Sequence, residues 1–480
     1  MLFHSFSPAT FCISTMIPIP KGFNKDLSKT VNYRGIALSS LFSKIFDNCI
    51  ISSQGAALLS DELQFAYKSG MSTVQCVSVI TETINYYLHN DSNVYMCTID
   101  ASKAFDRVNL YVLFTKLYRR KFCPLYLRFL FNSYCGQNMM VRWNGALSNS
   151  FNTSNGVKQG GVLSPLLFSV YLDDLLHQLR ELNIGCHMNG HFVGAIIYAD
   201  DITLLGPTRS SVVSLLDVCA EYATKHDILF NPSKTTCMYF SPYPSSLPGK
   251  MLSFMNADVS YVSNCIFLGM SITDNDVTDR YIQKSAQRFY RKANEVLSDF
   301  KSLTRDTKSK LLSSYCLDAY GSQLWPFFDK SVCQFFTAWR KTIRKLWCLP
   351  HTTHCRFLHT INNSLPIDIA LEKRCLKFLW SCMNSNNDIV KSVSLSSIGN
   401  SYSTFGENYR YLSHKYNICP YAWNKPFYCV VNKLYTFVDR LPVCQEAIMI
   451  RDLCIEYDDG FFDILDSEQM CHLIEYLCTI

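Results

Sequence analysis

The chain has 480 residues, 48% apolar, 14% aromatic and 18% charged, with a net charge of +6. This length and apolar fraction suit a multi-lobed protein of two to four domains that buries a real core, and the mild positive excess suits local basic surfaces rather than a uniformly basic molecule. The 22 cysteines stand singly, and the nearest approach to a zinc pattern, His351, His354 and Cys355, lacks a second half, so free core thiols in a reducing compartment are expected instead.

The N-terminal stretch MLFHSFSPATFCIST carries no positive charge before Lys21 and is broken by Ser and Pro, unlike a signal peptide. No apolar run approaches a membrane-spanning length, and the expectation is a soluble intracellular protein. Structured-looking sequence begins almost at once, which predicts a piece of a longer polypeptide. SNVYMCTID (92–100) reads as a strand ending on Asp100. A helix follows, with Leu110, Leu113, Phe114 and Leu117 on one face. MMVRWNGALSNSF (139–151) predicts a hairpin turning at Asn144-Gly145. Ser164 then predicts an N-cap, with Pro165 in the first turn of a helix whose apolar face is Phe168, Tyr171, Leu172, Leu175 and Leu179.

Two stretches contain Tyr-x-Asp-Asp: VYLDDLLHQL (170–179) and IIYADDITLL (196–205). In the first, Asp173 and Asp174 fall off the apolar helix face on opposite flanks, which predicts a solvated or capping pair. In the second, HFVGAIIYA (191–199) and ITLLG (202–206) are buried-looking strands separated only by Asp200-Asp201. An Asp-rich turn is one reading; a cation that compensates two acids at a buried bend is the other. Val212, Leu215, Leu216, Cys219 and Ala223 mark a further helix, and DILFNPSKTTCMYF (227–240) predicts strand–turn–strand with Lys234 in the turn. SPYPSSLPG (241–249) is the clearest loop. The order predicts an α+β arrangement, an antiparallel sheet backed by helices on one face. If the strands carrying Asp100 and Asp200/Asp201 are neighbours, three carboxylates converge, a donor set suited to two Mg2+ ions. Two such ions about 3.5–4 Å apart drive nucleotidyl transfer.

TIDASKAFDRVN (98–109), GVKQGGVLSPLLFSVYLDDL (156–175), YADD (198–201) and FNPSKTTCMYF (230–240) together resemble consecutive motifs of reverse transcriptases, above all those of non-LTR (LINE-type) retrotransposons. MIPIPKG (16–22), NYRGIALSSLFSKIFD (32–47), QFAYKSGMST (64–73) and CIFLGMSIT (265–273) extend the resemblance in order. It implies a right-hand polymerase: fingers over 1–90 with 118–155, palm within 91–274, helical thumb over 275–350 and a helical C-terminal extension over 351–480. It implies that Asp100, Asp200 and Asp201, with the Ala101 carbonyl, hold two Mg2+ ions, Mn2+ being the alternative. Lys234 would neutralise pyrophosphate, Lys21 and Arg34 reach the triphosphate, Phe105 gate the sugar, Gln159 and Gly160 line the base pocket, and Tyr198 and Ala199 touch the primer end and the nucleotide. By position alone Phe105 also fits a core ring and Lys234 a solvated turn lysine. Gly35 stands where the family more usually has proline, and Gly161 where it has cysteine or aspartate.

Residues 280–310 hold nine Lys/Arg against three Asp/Glu, and Arg280, Lys284, Arg288, Arg291 and Lys292 share a predicted helix that would lie along a duplex backbone. WRKTIRK (339–345) extends this basic run. The implied partners are an RNA template, a DNA primer and dNTPs, with no membrane, an endonuclease on a separate or missing segment, and a nuclear site of action. The rival expectations are an idle relic that only binds RNA or duplex, and a group II intron-type maturase.

Overall fold

The computed structural model describes residues 3–438 apart from 5, 23–24, 103, 244–247, 274–277 and 318, with backbone only at 9, 10 and 278–280. Two compact units emerge, one of residues 1–76 and 87–263 and one of 77–86 and 264–480. The expectations for 439–480, and for the centre of the 241–249 loop, lie outside the described residues.

In the first unit, β1 (Ile13–Pro20) and β2 (Tyr33–Ser39) form an antiparallel ribbon. The central apolar run becomes β3 (Val94–Ile99), paired with neighbours on both sides and almost wholly buried, as an uninterrupted apolar strand requires. The predicted Asn144-Gly145 hairpin joins β4 (Asn138–Trp143) to β5 (Ala146–Leu147), with both turn residues at positive φ. β4 also runs parallel to β1 and pairs with β6 (Phe151–Asn152). A short hairpin of β7 (His187–Met188) and β8 (His191–Phe192) precedes β9 (Ala195–Tyr198) and β10 (Asp201–Gly206), so the expected 191–199 strand is two strands. β11 (Thr236–Phe240), β12 (Leu252–Phe254) and β13 (Ala257–Tyr261) complete a sheet in the order β12-β13-β11-β3-β10-β9. The β11–β13 pair is parallel, a departure from the expected all-antiparallel sheet. The helices Ser164–Glu181 and Arg209–Lys225 pack on this sheet. The fold is α+β.

Two further expectations are corrected here. Ser164 is the first helical residue rather than the N-cap, which is Leu163 and makes no side-chain cap bond. The Asp173–Asp174 pair is not a solvated one. Asp173 is only 3% exposed, because Ser164–Glu181 is covered on more than its apolar stripe. Its carboxylate accepts from the Asp61 N–H at 2.6 Å and from Arg120, with His177 Nε2 at 3.4 Å. Asp174 is half exposed and pairs with the buried Lys116 at 2.9 Å.

In the second unit, β14 (Asn264–Phe267) and β15 (Met270–Thr273) form a hairpin. The expected basic helix spans Thr278–Asp299 and packs on Cys333–Leu346 through Ile282, Ala286, Phe289, Ala293 and Val296, a helical spacing. Helices Ile367–Met383, Asp388–Ile398, Thr404–Lys415 and Phe427–Val438 follow. Glu372 is buried among them and accepts from Lys415 at 2.8 Å and from the Tyr416 hydroxyl. Among the described residues no helix is long and apolar enough to cross a membrane.

Candidate active site

β3 and β10 are antiparallel neighbours in the register Ile202↔Ile99, which sets Asp100 at the end of one strand beside Asp201 at the start of the other. β9 and β10 pair as Asp201↔Tyr198, so the turn between them is Ala199-Asp200 and Asp201 already belongs to the strand. The three acids therefore meet at one edge of the sheet because a strand end and a two-residue turn are adjacent.

Their electrostatics carry the mark of crowding. Burial, and then the Asp100 charge, push the Asp200 carboxyl above the usual range, while Arg34 and Lys234 oppose the shift. Burial, then Asp200 and Asp100, raise Asp201 to about 6, again against Arg34 and Lys234. Like charges in a partly desolvated site disfavour ionisation in this way. Among the described residues no three His, Cys, Asp or Glu side chains are gathered as they stand to hold an ion. Instead Lys234 Nζ sits 2.9 Å from Asp100 Oδ2. The donor set is hard oxygen with an excess of negative charge, which fits a divalent cation such as Mg2+ or Mn2+.

Lys234 is placed by the backbone. The Asn231 N–H donates to the Asp100 carbonyl at 2.9 Å and Ser102 N–H to Leu229 O at 2.8 Å, bridging Ala101 to Phe230. Those bonds use the neighbours' groups and not the Ala101 carbonyl. A short turn, Pro232–Lys234, then presents the lysine.

Arg34 lies on β2 and acts on both Asp200 and Asp201. Lys21 stands just past the Pro20↔Tyr33 pair of the same ribbon, but its ammonium donates to Val31 O at 2.9 Å, so the structure does not bring it to the acids. Gln159 O accepts from Ala37 N–H at 2.7 Å, locking its loop to β2. Gly160 has φ +107° and a Cβ there would lie 2.9 Å from Ala37 O, so only glycine fits. A Cβ on Gly161 would lie 2.6 Å from Ser164 Oγ and one on Gly35 2.6 Å from Met16 Sδ, both side-chain atoms that can move aside. Phe105 is half-buried and stacks on Phe168 with centroids 4.7 Å apart.

Two residues near the acids lie in QFAYKSGMST (64–73), a stretch included in the resemblance without a role for either of them. Tyr67 is raised to about 12 by burial, then by Asp200 and Tyr198, which places it beside the Ala199-Asp200 turn. Gln64 is fully buried and bonds to the Ala199 backbone.

In the second unit, Lys284 and Arg291 are exposed on the helix Thr278–Asp299. Arg288 lies 5.9 Å from the Tyr281 ring and Lys292 5.5 Å from that of Tyr315, so these two lean on their own unit. The Arg280 side chain lies outside the described residues.

Residues 19–272 match the family described as "Reverse transcriptase (RNA-dependent DNA polymerase)". A similar protein is the "Retrovirus-related Pol polyprotein from type-1 retrotransposable element R2" of Nasonia vitripennis, 27% identical over 220 residues, 45% of this chain and 21% of the relative. Another is the "RNA-directed DNA polymerase from mobile element jockey" of Drosophila funebris, 24% identical over 306 residues, 59% of this chain and 32% of the relative. The chain thus spans from about a fifth to a third of the length of these relatives. Among solved structures, apo telomerase from Candida tropicalis aligns with a TM-score of 0.45 and 11% identity, covering 93% of this chain and 70% of that one.

Proposed function

The chain belongs to the reverse transcriptase family, with non-LTR retrotransposon proteins as its relatives, and from that premise we propose that it extends a DNA primer on an RNA template from dNTPs. The observation that carries this reading is the meeting of Asp100, Asp200 and Asp201 at the β3–β10 edge, with charge pressure high enough to lift Asp201 to about 6.

The family implies a divalent metal. The finer assignment is two Mg2+ ions held by Asp100, Asp200, Asp201 and the Ala101 carbonyl. When bound, the ions supply activation of the primer hydroxyl and charge neutralisation at the leaving pyrophosphate. The protein's own groups do the rest. Lys234, released from Asp100, is left beside the triphosphate to neutralise the departing charge. Arg34 contacts the triphosphate from β2, and Lys21 joins it by giving up Val31 O. Gln159 and Gly160 present a rigid backbone to the base pair, and Tyr198 and Ala199 lie at the primer end. Phe105, held flat by Phe168, closes the space a 2′-hydroxyl would need. Fingers (1–90 with 118–155), palm (within 91–274) and thumb (275–350) remain the working division, with Lys284, Arg288, Arg291 and Lys292 on duplex phosphates.

The test is single-nucleotide addition to a DNA primer on RNA, for the wild-type chain and Asp100→Asn. Addition by the wild type that is lost in the variant supports the reading. A wild-type chain that binds the duplex tightly but adds nothing makes it an idle binder and overturns it.

A further inference from the structure

Ala199, the residue before Asp200, has φ +59°. An alanine rarely adopts this left-handed conformation, because its Cβ crowds the carbonyl that follows. Something must hold it there, and the contacts identify what. The Gln64 carboxamide grips both sides of the residue: Ala199 N–H donates to Gln64 Oε1 at 3.0 Å, and Gln64 Nε2 donates to Ala199 O at 3.3 Å. The same Oε1 accepts from Ala66 N–H at 3.0 Å, which fixes the amide's orientation. Gln64 is 1% exposed, so these bonds do not compete with water.

The segment bearing Gln64 is itself anchored. Ile197 N–H donates to Leu63 O at 2.9 Å and Phe65 N–H to Ile197 O at 2.8 Å, so residues 63–65 run parallel beside β9. Asp61 accepts from Leu63 N–H at 2.9 Å and takes both guanidinium nitrogens of Arg180, at 2.8 and 2.7 Å. Asp61 N–H donates to Asp173 Oδ1 at 2.6 Å. The first Tyr-x-Asp-Asp thus anchors the segment that grips the second. Asp173 and Arg180 on one helix hold Asp61, and three residues later Gln64 holds the turn of Asp200.

We propose that Gln64 is a positioning residue for nucleotide addition: it fixes the left-handed Ala199 peptide and so aims Asp200 and Asp201. This rests on the polymerase reading above. A carboxylate displaced by about 1 Å costs such a site on the order of 10²-fold in rate.

The test uses the full chain and Gln64→Met, which keeps volume and removes all three hydrogen bonds of the carboxamide. We expect kcat for single-nucleotide addition to fall on the order of 10²-fold with primer–template Kd unchanged. In an Ala199→Gly background, where positive φ carries no Cβ penalty, the deficit caused by Gln64→Met is at least about ten-fold smaller, each rate being read against that of Ala199→Gly alone. A purely structural role would not show that dependence on residue 199. Gln64→Met at wild-type rate, or an equal deficit in both backgrounds, overturns the proposal. Amide exchange needs no variant: Ala199 N–H exchanges slowly in the folded wild type, and fast exchange there overturns the clamp even if Gln64→Met does not fold. If the wild type adds no nucleotide, the polymerase reading fails, and the Ala199 exchange rate still decides whether Gln64 holds the turn.

Discussion

Removing the Asp173 carboxylate destabilises the protein and loosens the anchor of Asp61, whereas removing that of Asp200 abolishes nucleotide addition without loss of stability. Asp173 is 4% exposed on its side chain and Arg120 21%. Truncation in Asp173→Ala leaves the Arg120 charge without its counter-ion and orphans the Asp61 N–H that donates at 2.6 Å. Breaking a buried pair from one side costs about 3–5 kcal/mol. For a unit of this size roughly 2–4 °C accompany each kcal/mol, so the melting transition falls by roughly 6–20 °C. Asp200 is different, since burial and Asp100 already hold its carboxyl above the usual range and a neutral Asn relieves that pressure. Asp200→Asn therefore melts at or above the wild-type temperature and adds no nucleotide. The assay pairs calorimetry with single-turnover extension well below the melting range. An Asp173→Ala that melts with the wild type contradicts this assignment, and so does an Asp200→Asn that extends.

Three further outcomes are expected. Burial raises Asp47 to about 6; Asp200 and Asp201 also have raised carboxyls, Asp201 to about 6, so between the ordinary carboxylate value and that one these two bind more protons in the folded chain than in the unfolded one, and their contribution to metal-free stability falls as pH rises from about 4 to about 6. Asp201→Asn removes much of that slope, Mg2+ at neutral pH raises the melting temperature of the wild type more than that of the variant, and superimposable melts of the two chains would contradict both. Phe105→Ala is expected to admit ribonucleotides while forfeiting the Phe168 stack, worth about 0.5–1.5 kcal/mol beyond its buried area; unchanged sugar preference with lost stability would leave Phe105 as packing. Neutralising Lys284 and Arg291 is expected to reduce the salt dependence of primer–template binding by about one unit of slope for each phosphate no longer neutralised, and an unaltered slope in a titration of binding against salt would assign that helix face to another partner.

What the sequence disclosed is what local pattern records. Asp100 at a strand end, Asn144-Gly145 in a hairpin turn and the apolar face of Leu110–Arg119 all follow from spacing within a few residues. Asp200 and Asp201 stood out because adjacent carboxylates between two apolar runs are costly at a buried bend without a compensating charge, although an Asp-rich turn fitted the same pattern. Asp173 was misjudged because a helical wheel assumes one buried face, whereas its partners Arg120 and Asp61 stand 53 and 112 residues away and cover its flank. Gln64 was hidden for a related reason: its partner is a backbone 135 residues away, and no side-chain pattern announces that a peptide there has turned left-handed. The parallel β11–β13 pair likewise depends on how the chain returns after residue 249, which periodicity does not encode.

We propose the β3–β10 edge as a polymerase active site. Its most direct test is templated addition of one dNTP to a DNA primer on RNA by the purified full chain, with Mg2+, with chelator, and with Asp201→Asn. The expected result is addition of the templated nucleotide with Mg2+, none with chelator, and none from Asp201→Asn although that variant still binds the primer–template. Addition by Asp201→Asn at the wild-type rate would contradict the claim.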